Sequence, residues 1–150
     1  MVLDALIGNT DRHHQNWGIL RRVRPDGSVE HEVAPSFDHA SALGRNVPAD
    51  ERERRLRENT VLNYARKGRG GIFWSSNDPK GANPLALVES AAQRWPVYFQ
   101  PWLSRVQALA ETDFRAIVDR VPDTWMESSQ KKFCLTLLCA TCSELKKLPS

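Results

Sequence analysis

Asp11 and Asn16 stand five positions apart in the stretch Gly8-Asn9-Thr10-Asp11-Arg12-His13-His14-Gln15-Asn16, and a second carboxylate, Asp38, follows downstream. Two carboxylates and an amide carbonyl are hard oxygen donors. Such a set holds Mg2+ through a few side chains together with substrate phosphates. Phosphoryl transfer calls for those parts: a cation to neutralise charge on the phosphates, and an Asp to accept or orient the proton of the attacking hydroxyl. The spacing alone recurs by chance, and a capped turn with polar surface residues would read the same way.

What distinguishes the set is the element expected between its members. Trp17-Gly18-Ile19-Leu20 and Val29 through Ala34 read as two strands. Arg24-Pro25-Asp26-Gly27 between them is a turn, because Pro presets φ and Gly accepts a positive φ. A hairpin brings its two ends together, so Asp38 is expected beside Asp11 and Asn16. Upstream, Val2, Leu3, Leu6 and Ile7 recur at helical spacing and stop at Gly8-Asn9. A helix this short is marginal on its own, which suggests that preceding sequence is missing or divergent. After the hairpin the chain reads as helical. A charged helix runs from an Asp50 cap, with Glu53 as its capping-box partner, to about Ala65. A Gly-, Ser-, Asn- and Pro-rich loop spans Lys67 to Pro84. Further helices read from Pro84 to Trp95, from Pro101 to Ala110, from a Thr112 or Asp113 cap to Val121, and from Ser129 to Lys147. The last has Leu135, Leu138, Cys142 and Leu145 on one face. The expected fold is therefore mainly α with one small β-hairpin, in a single domain 1–150. Within it lie a hairpin region 1–47 and a helical subdomain 48–150.

The stretch Gly8 to Ile19, followed by Ala34-Pro35-Ser36-Phe37-Asp38-His39-Ala40-Ser41, resembles the C-terminal kinase region of HipA-like serine/threonine kinases, the toxin kinases of bacterial toxin–antitoxin pairs. Protein kinases in general carry an Asp-x-x-x-x-Asn loop and a second Asp after the following strands. The Asp-Arg-His-x-x-Asn core is also similar to the catalytic loop of phosphatidylinositol kinases. The match covers about the first 45 residues. It implies a protein-kinase-like C-lobe that uses ATP and Mg2+ to phosphorylate a protein Ser/Thr hydroxyl. In it Asp11 is the catalytic base, and Asn16 and Asp38 hold the metal and its nucleotide. His13 is the catalytic-loop histidine, expected to order the loop by hydrogen bonding. The family's N-lobe supplies a Gly-rich phosphate loop, a strand Lys and a helix Glu, and none of these is read here. The resemblance therefore implies a truncated kinase, weakly active or inactive alone, with a protein substrate and an antitoxin or missing N-lobe subunit as partners. The alternative is a non-catalytic remnant lobe or split-kinase subunit acting as a protein-binding module. Trp95, Trp102, Trp125 and Phe99 are then its candidate contacts, though core packing suits most of them as well.

Composition agrees with a soluble chain. Its 150 residues carry a net charge of +3 and 41% hydrophobic content, which excludes the disordered and fibrous classes. The charge is too small and too interleaved for a nucleic-acid binder: Arg52, Arg54, Arg55 and Arg57 alternate with Glu51, Glu53 and Glu58. The compact basic patch Arg66-Lys67-Gly68-Arg69-Gly70-Gly71 reads as a surface loop or a phosphate contact. Arg12 is placed either against Asp11 or a phosphate, or on the surface. Cys134, Cys139 and Cys142 are odd in number and lie in an apolar run, so they read as buried thiols in a reducing cytoplasm. No signal peptide and no membrane span are read.

Overall fold

The computed structural model describes residues 1–149 as seven helices and one hairpin. Helix α1 (Val2–Leu6) ends where Gly8 turns left-handed at φ 62°. Its carbonyl end is buried but not left unpaired, since the buried Thr141 hydroxyl donates to the Leu6 carbonyl. A 3₁₀ turn (His14–Asn16) leads into strand β1 (Ile19–Val23), which pairs antiparallel with β2 (Val29–Val33) in the register Ile19 opposite Val33 and Val23 opposite Val29. The turn forms where Pro25 and Gly27 require it. Gly27 has φ 84°, its N–H donates to the Arg24 carbonyl, and the Asp26 carboxylate accepts from the Ser28 N–H at 2.8 Å. One further ladder bond, Ala34 N–H to the Gly18 carbonyl at 2.9 Å, carries the pairing to the base of the hairpin.

The helical half follows as α2 (Ala49–Arg57), α3 (Val61–Lys67), α4 (Pro84–Arg94), α5 (Pro96–Gln107), α6 (Glu111–Val118) and α7 (Ser128–Leu145). Helix α7 is the hub, packed against every other helix. Phe133, Cys134, Leu137, Leu138, Thr141, Cys142 and Leu145 are all buried, so its apolar surface extends well round the helix rather than along one stripe. That is the pattern of a central helix. Leu138, Cys142 and Leu145 join Ala5, Leu6, Val88, Leu103, Val106, Phe114 and Val118 in one core. Phe133 and Leu137 join Val47, Val61 and Ala65 in a second. Cys134 and Cys142 are buried, Cys139 is half-buried, and all three thiols are free. Burial pushes the Cys134 thiol up to about 11.

The helix limits differ from the sequence reading in four places, each for a local reason. In one, α6 starts behind Ala110 and ends at Val118, and Asp113 accepts the Ala110 N–H at 2.8 Å from within the first turn instead of capping it. The single helix expected from Asp50 to Ala65 is two, because Asn59 adopts φ 54° and the Thr60 N–H closes back on the Arg55 carbonyl. Asn tolerates the left-handed region that ends helices. The residue before that first helix is Pro48, and no side chain caps it, so the Asp50 capping box is not formed. Helix α5 starts at Pro96 rather than Pro101. Pro suits the first helical turn, where its missing N–H costs nothing, and Pro101 is carried inside the helix. By contrast, Asn83 caps α4 as an N-cap should, accepting from the Leu85 and Ala86 N–H groups.

Gly44 marks the tightest join between the two halves. It has φ 69°, and a Cβ there would lie 2.3 Å from Cε1 of the fully buried Phe133 ring. Gly44→Ala is expected to lower stability by about 2–4 kcal/mol, the sum of overpacking and a left-handed backbone. The shift in the urea midpoint reads it.

Candidate functional site

The site is organised by a buried guanidinium. Arg12 is only 6% exposed and Asp4, on α1, only 5%. Arg12 Nε and Nη2 both donate to Asp4 Oδ1, at 3.0 and 2.8 Å. Nη1 donates to the Asn16 carbonyl and, at 2.9 Å, to the Phe37 carbonyl. Nη2 also lies 3.1 Å from His39 Nδ1. One side chain therefore fastens α1, the loop 9–16 and the segment 37–39 after the hairpin. Asn9 adds to this from the other side. Its amide donates to Asp4 Oδ1 at 2.8 Å, and its carbonyl accepts the Asp11 N–H at 3.0 Å.

These contacts set the three oxygen donors. Asp11 is exposed on the loop, and its backbone carbonyl accepts from Asn16 Nδ2 at 2.7 Å. That bond turns the Asn16 amide, 3% exposed, so that its nitrogen is used within the loop and its oxygen remains for a ligand. Asp38 is exposed, takes φ 55°, and has no ion pair or side-chain hydrogen bond among the described residues. Its neighbour Phe37 and Asn16 share the same Arg12 nitrogen. Among the described residues no three His, Cys, Asp or Glu side chains converge to hold a metal by themselves. An amide oxygen and a carboxylate that complete their shell with phosphate oxygens fit Mg2+, which keeps few protein ligands and is bound alongside substrate phosphates.

His13 is half-buried, and its Nδ1 accepts the Gln15 N–H at 3.2 Å, which starts the 3₁₀ turn carrying Asn16. His39 bridges Arg12 and the Ser36 hydroxyl, 3.1 Å from its Nε2. His14 is exposed. The basic segment is neither a free loop nor a phosphate cradle by its backbone. The Gly71 N–H donates to the Arg12 carbonyl at 3.0 Å, and Cβ atoms at Gly71 and Gly68 would lie 2.7 Å from His13 Cβ and Thr10 Cγ2. Its glycines allow it to brace the loop from behind. Arg66 is paired with Glu144, while Lys67 and Arg69 face solvent.

Two placements correct the sequence reading. Arg12 neither meets Asp11 nor lies on the surface; it is the buried partner of Asp4. Core packing does not describe the tryptophans either: Trp95 and Trp102 are exposed and Trp125 is 83% exposed, whereas Phe99 packs against the main core. The sequence reading gives Asp4, Asn9 and Ser41 no place in the site. Asp4 left a signal, since a carboxylate within an otherwise apolar helical turn must be paired or pay heavily for burial. Ser41 left none; its hydroxyl is 3.3 Å from Asp11 Oδ2.

Burial alone would push the Asp4 carboxyl up. The Arg12 guanidinium, the terminal ammonium and the Asn9 amide outweigh it and hold the carboxyl below its ordinary range. A depressed folded-state pKa contributes stability that is complete above the unfolded value and lost as pH falls through the folded one. Thermal stability is therefore expected to decline below about pH 4, the ordinary carboxylate range. Asp4→Asn should start less stable and decline less steeply, as followed by circular dichroism.

No protein-family model matches the chain. Over 42 residues it is 50% identical to the serine/threonine-protein kinase CtkA of Helicobacter pylori, a stretch that makes up 28% of this chain and 12% of that kinase. The crystal structure of the H. pylori proinflammatory kinase CtkA superposes with a TM-score of 0.68 at 23% identity, covering 98% of this chain and 48% of that one. The chain thus spans about half the length of the solved kinase and shares the fold of that half. No helix among the described residues is long and apolar enough to cross a membrane.

Proposed function

We propose that this chain is the catalytic-loop lobe of a HipA-like serine/threonine kinase, transferring the γ-phosphate of ATP to a protein hydroxyl. The observation that carries the reading is the Arg12 junction. It fixes the Asp11–Asn16 loop and the Phe37–Asp38 segment to the same nitrogen, so base and metal donors are held as one unit. The short, strong identity to a serine/threonine kinase and the shared fold support it. Asp11 accepts the proton of the attacking hydroxyl, Asn16 and Asp38 hold Mg2+, and His13 shapes the turn between them. Mg2+ supplies charge neutralisation on the phosphates. Positioning and electrostatics provide most of the catalysis in such reactions, so the chain alone is a weak enzyme and works best with a nucleotide-clamping lobe, joined to it or separate. Titration of Mn2+ in the presence of ATP tests the site: wild type binds the complex, and Asp38→Asn does not. Equal binding by the two proteins would remove Asp38 from the metal site.

A second reading, a lobe that serves chiefly to bind a partner, is favoured by the hairpin. All ten of its strand residues are exposed, including Ile19, Leu20, Val23, Val29 and Val33. A two-stranded hairpin is marginal alone, and the exposed cross-strand pairs Ile19–Val33 and Val23–Val29 share one face for a partner to cover. An antitoxin or an N-lobe subunit is the partner this reading expects, and a well-behaved monomer on size exclusion would count against it.

A further inference from the structure

Arg12 is not alone as a buried guanidinium. Arg52, on the charged helix α2, is 5% exposed. Its Nη1 donates to the Val47 carbonyl at 2.9 Å, and its Nη2 pairs with Glu127 Oε1 just ahead of α7. Its Nε is closed off from solvent and finds no partner among the described residues. A clamp between α2 and α7 accounts for the first two contacts and leaves the third donor unexplained, although buried polar groups are normally hydrogen-bonded. Arg12 shows the fuller arrangement, with Nε and Nη2 both on Asp4. A carboxylate meets such an edge best with two parallel bonds. Glu127 meets the Arg52 edge through one oxygen only, which also accepts the Ser129 hydroxyl at 3.0 Å, and its side chain is 57% exposed.

Arg52 lines a cavity of about 350 Å³. The segment from Ala40 to Arg45 forms one wall, and Trp125 and Gln130 stand on the other. Arg45 is exposed and has no ion pair among the described residues, and no Asp or Glu among them lines the cavity. The lining is therefore cationic at two points and apolar between them, at Leu43 and Met126. That suits a carboxylate on a short apolar stem. The 40–45 wall also carries Ser41, whose Oγ is 3.3 Å from Asp11 Oδ2. Ser41 to Arg45 spans at most about 14 Å of extended chain, so a peptide whose hydroxyl reaches Asp11 passes within a few residues of this cavity.

We propose that the cavity recognises an acidic residue of the protein substrate, a Glu or Asp a few positions from the acceptor hydroxyl. Its carboxylate takes Nε and Nη2 of Arg52 together, and Arg45 steers it in from the rim. Glu127 holds the guanidinium in place beforehand and gives way when the substrate arrives. The proposal rests on the kinase reading above and adds which hydroxyls that site selects.

The probe is a serine peptide with glutamates on both sides of the acceptor, beside a twin with glutamine at each of those positions. In the nitrogen-15-labelled chain, the Arg52 Nε–H signal is expected to shift with the glutamate peptide and to stay with the twin. By fluorescence anisotropy, Glu127→Gln is expected to bind the glutamate peptide several-fold more tightly than wild type, and Arg45→Ala several-fold more weakly. With Mg-ATP the glutamate peptide should show the lower KM at similar kcat. If Arg52 only clamps α2 to α7, Glu127→Gln lowers the thermal midpoint and leaves peptide affinity unchanged, which would overturn the proposal. A signal that moves as far with free glutarate at equal concentration would make this a small-anion site and overturn the peptide assignment. Equal KM values for the twins, with the Arg52 signal unmoved, would overturn the cavity's role and leave the kinase reading standing. A shifted signal with no transfer to either peptide, a nucleotide-clamping lobe being present, would overturn the kinase reading and the substrate role with it.

Discussion

Arg12→Met is expected to destabilise the chain by about 3–5 kcal/mol, because it takes the guanidinium from the buried Asp4 and leaves only the terminal ammonium and the Asn9 amide against its charge. Three further bonds go with it: those to the Asn16 and Phe37 carbonyls and the contact with His39. For a domain of this size that is a large share of the total stability. The double variant Asp4→Leu/Arg12→Met should recover much of the loss, since replacing a whole buried pair by apolar groups is often neutral or favourable. The two proteins then separate stability from function. Urea denaturation should show the double variant close to wild type, yet its Mn-ATP affinity should stay reduced because nothing ties Asn16 to Phe37. Near-wild-type binding by a stable double variant would show that the hairpin alone aligns the site.

Asp11→Asn should lower phosphoryl transfer by about 10²–10⁴-fold, the usual contribution of a positioned general base. The amide is isosteric and keeps an oxygen toward Ser41, so folding and Mn-ATP affinity should hardly change. Asp38→Asn should behave differently, losing the metal complex first and transfer as a consequence. Single-turnover rates paired with binding isotherms distinguish the two. If both variants lost binding equally, Asp11 would be a metal ligand rather than the base.

The hairpin and its turn were legible because Arg24-Pro25-Asp26-Gly27 specifies a local geometry that needs no tertiary help. The mainly helical remainder was legible from apolar spacing, with Pro84 starting α4 where a missing N–H costs nothing. The break at Asn59 was not, because the run from Asp50 to Ala65 is compatible with one helix and only the left-handed Asn divides it. The junction that joins the candidate residues was not legible. Arg12 reads as a partner for the nearest acid, Asp11, and only the folded chain shows that Asp4, eight residues upstream, takes it. Spacing along the chain cannot separate two acids on either side of a basic residue; the return of the chain after α1 does. The exposed tryptophans failed for a related reason: large apolar side chains are taken as core by default, yet α5 already buries Leu103 and Val106 on its inner face.

Transfer of the γ-phosphate from radiolabelled ATP to serine or threonine in protein, with wild type and Asp11→Asn side by side, tests the central claim most directly. The account predicts slow, Mg2+-dependent incorporation by wild type, faster when a nucleotide-clamping lobe is supplied, and none above background for Asp11→Asn. Incorporation that persists in Asp11→Asn, or its absence from wild type with that lobe present, would contradict it.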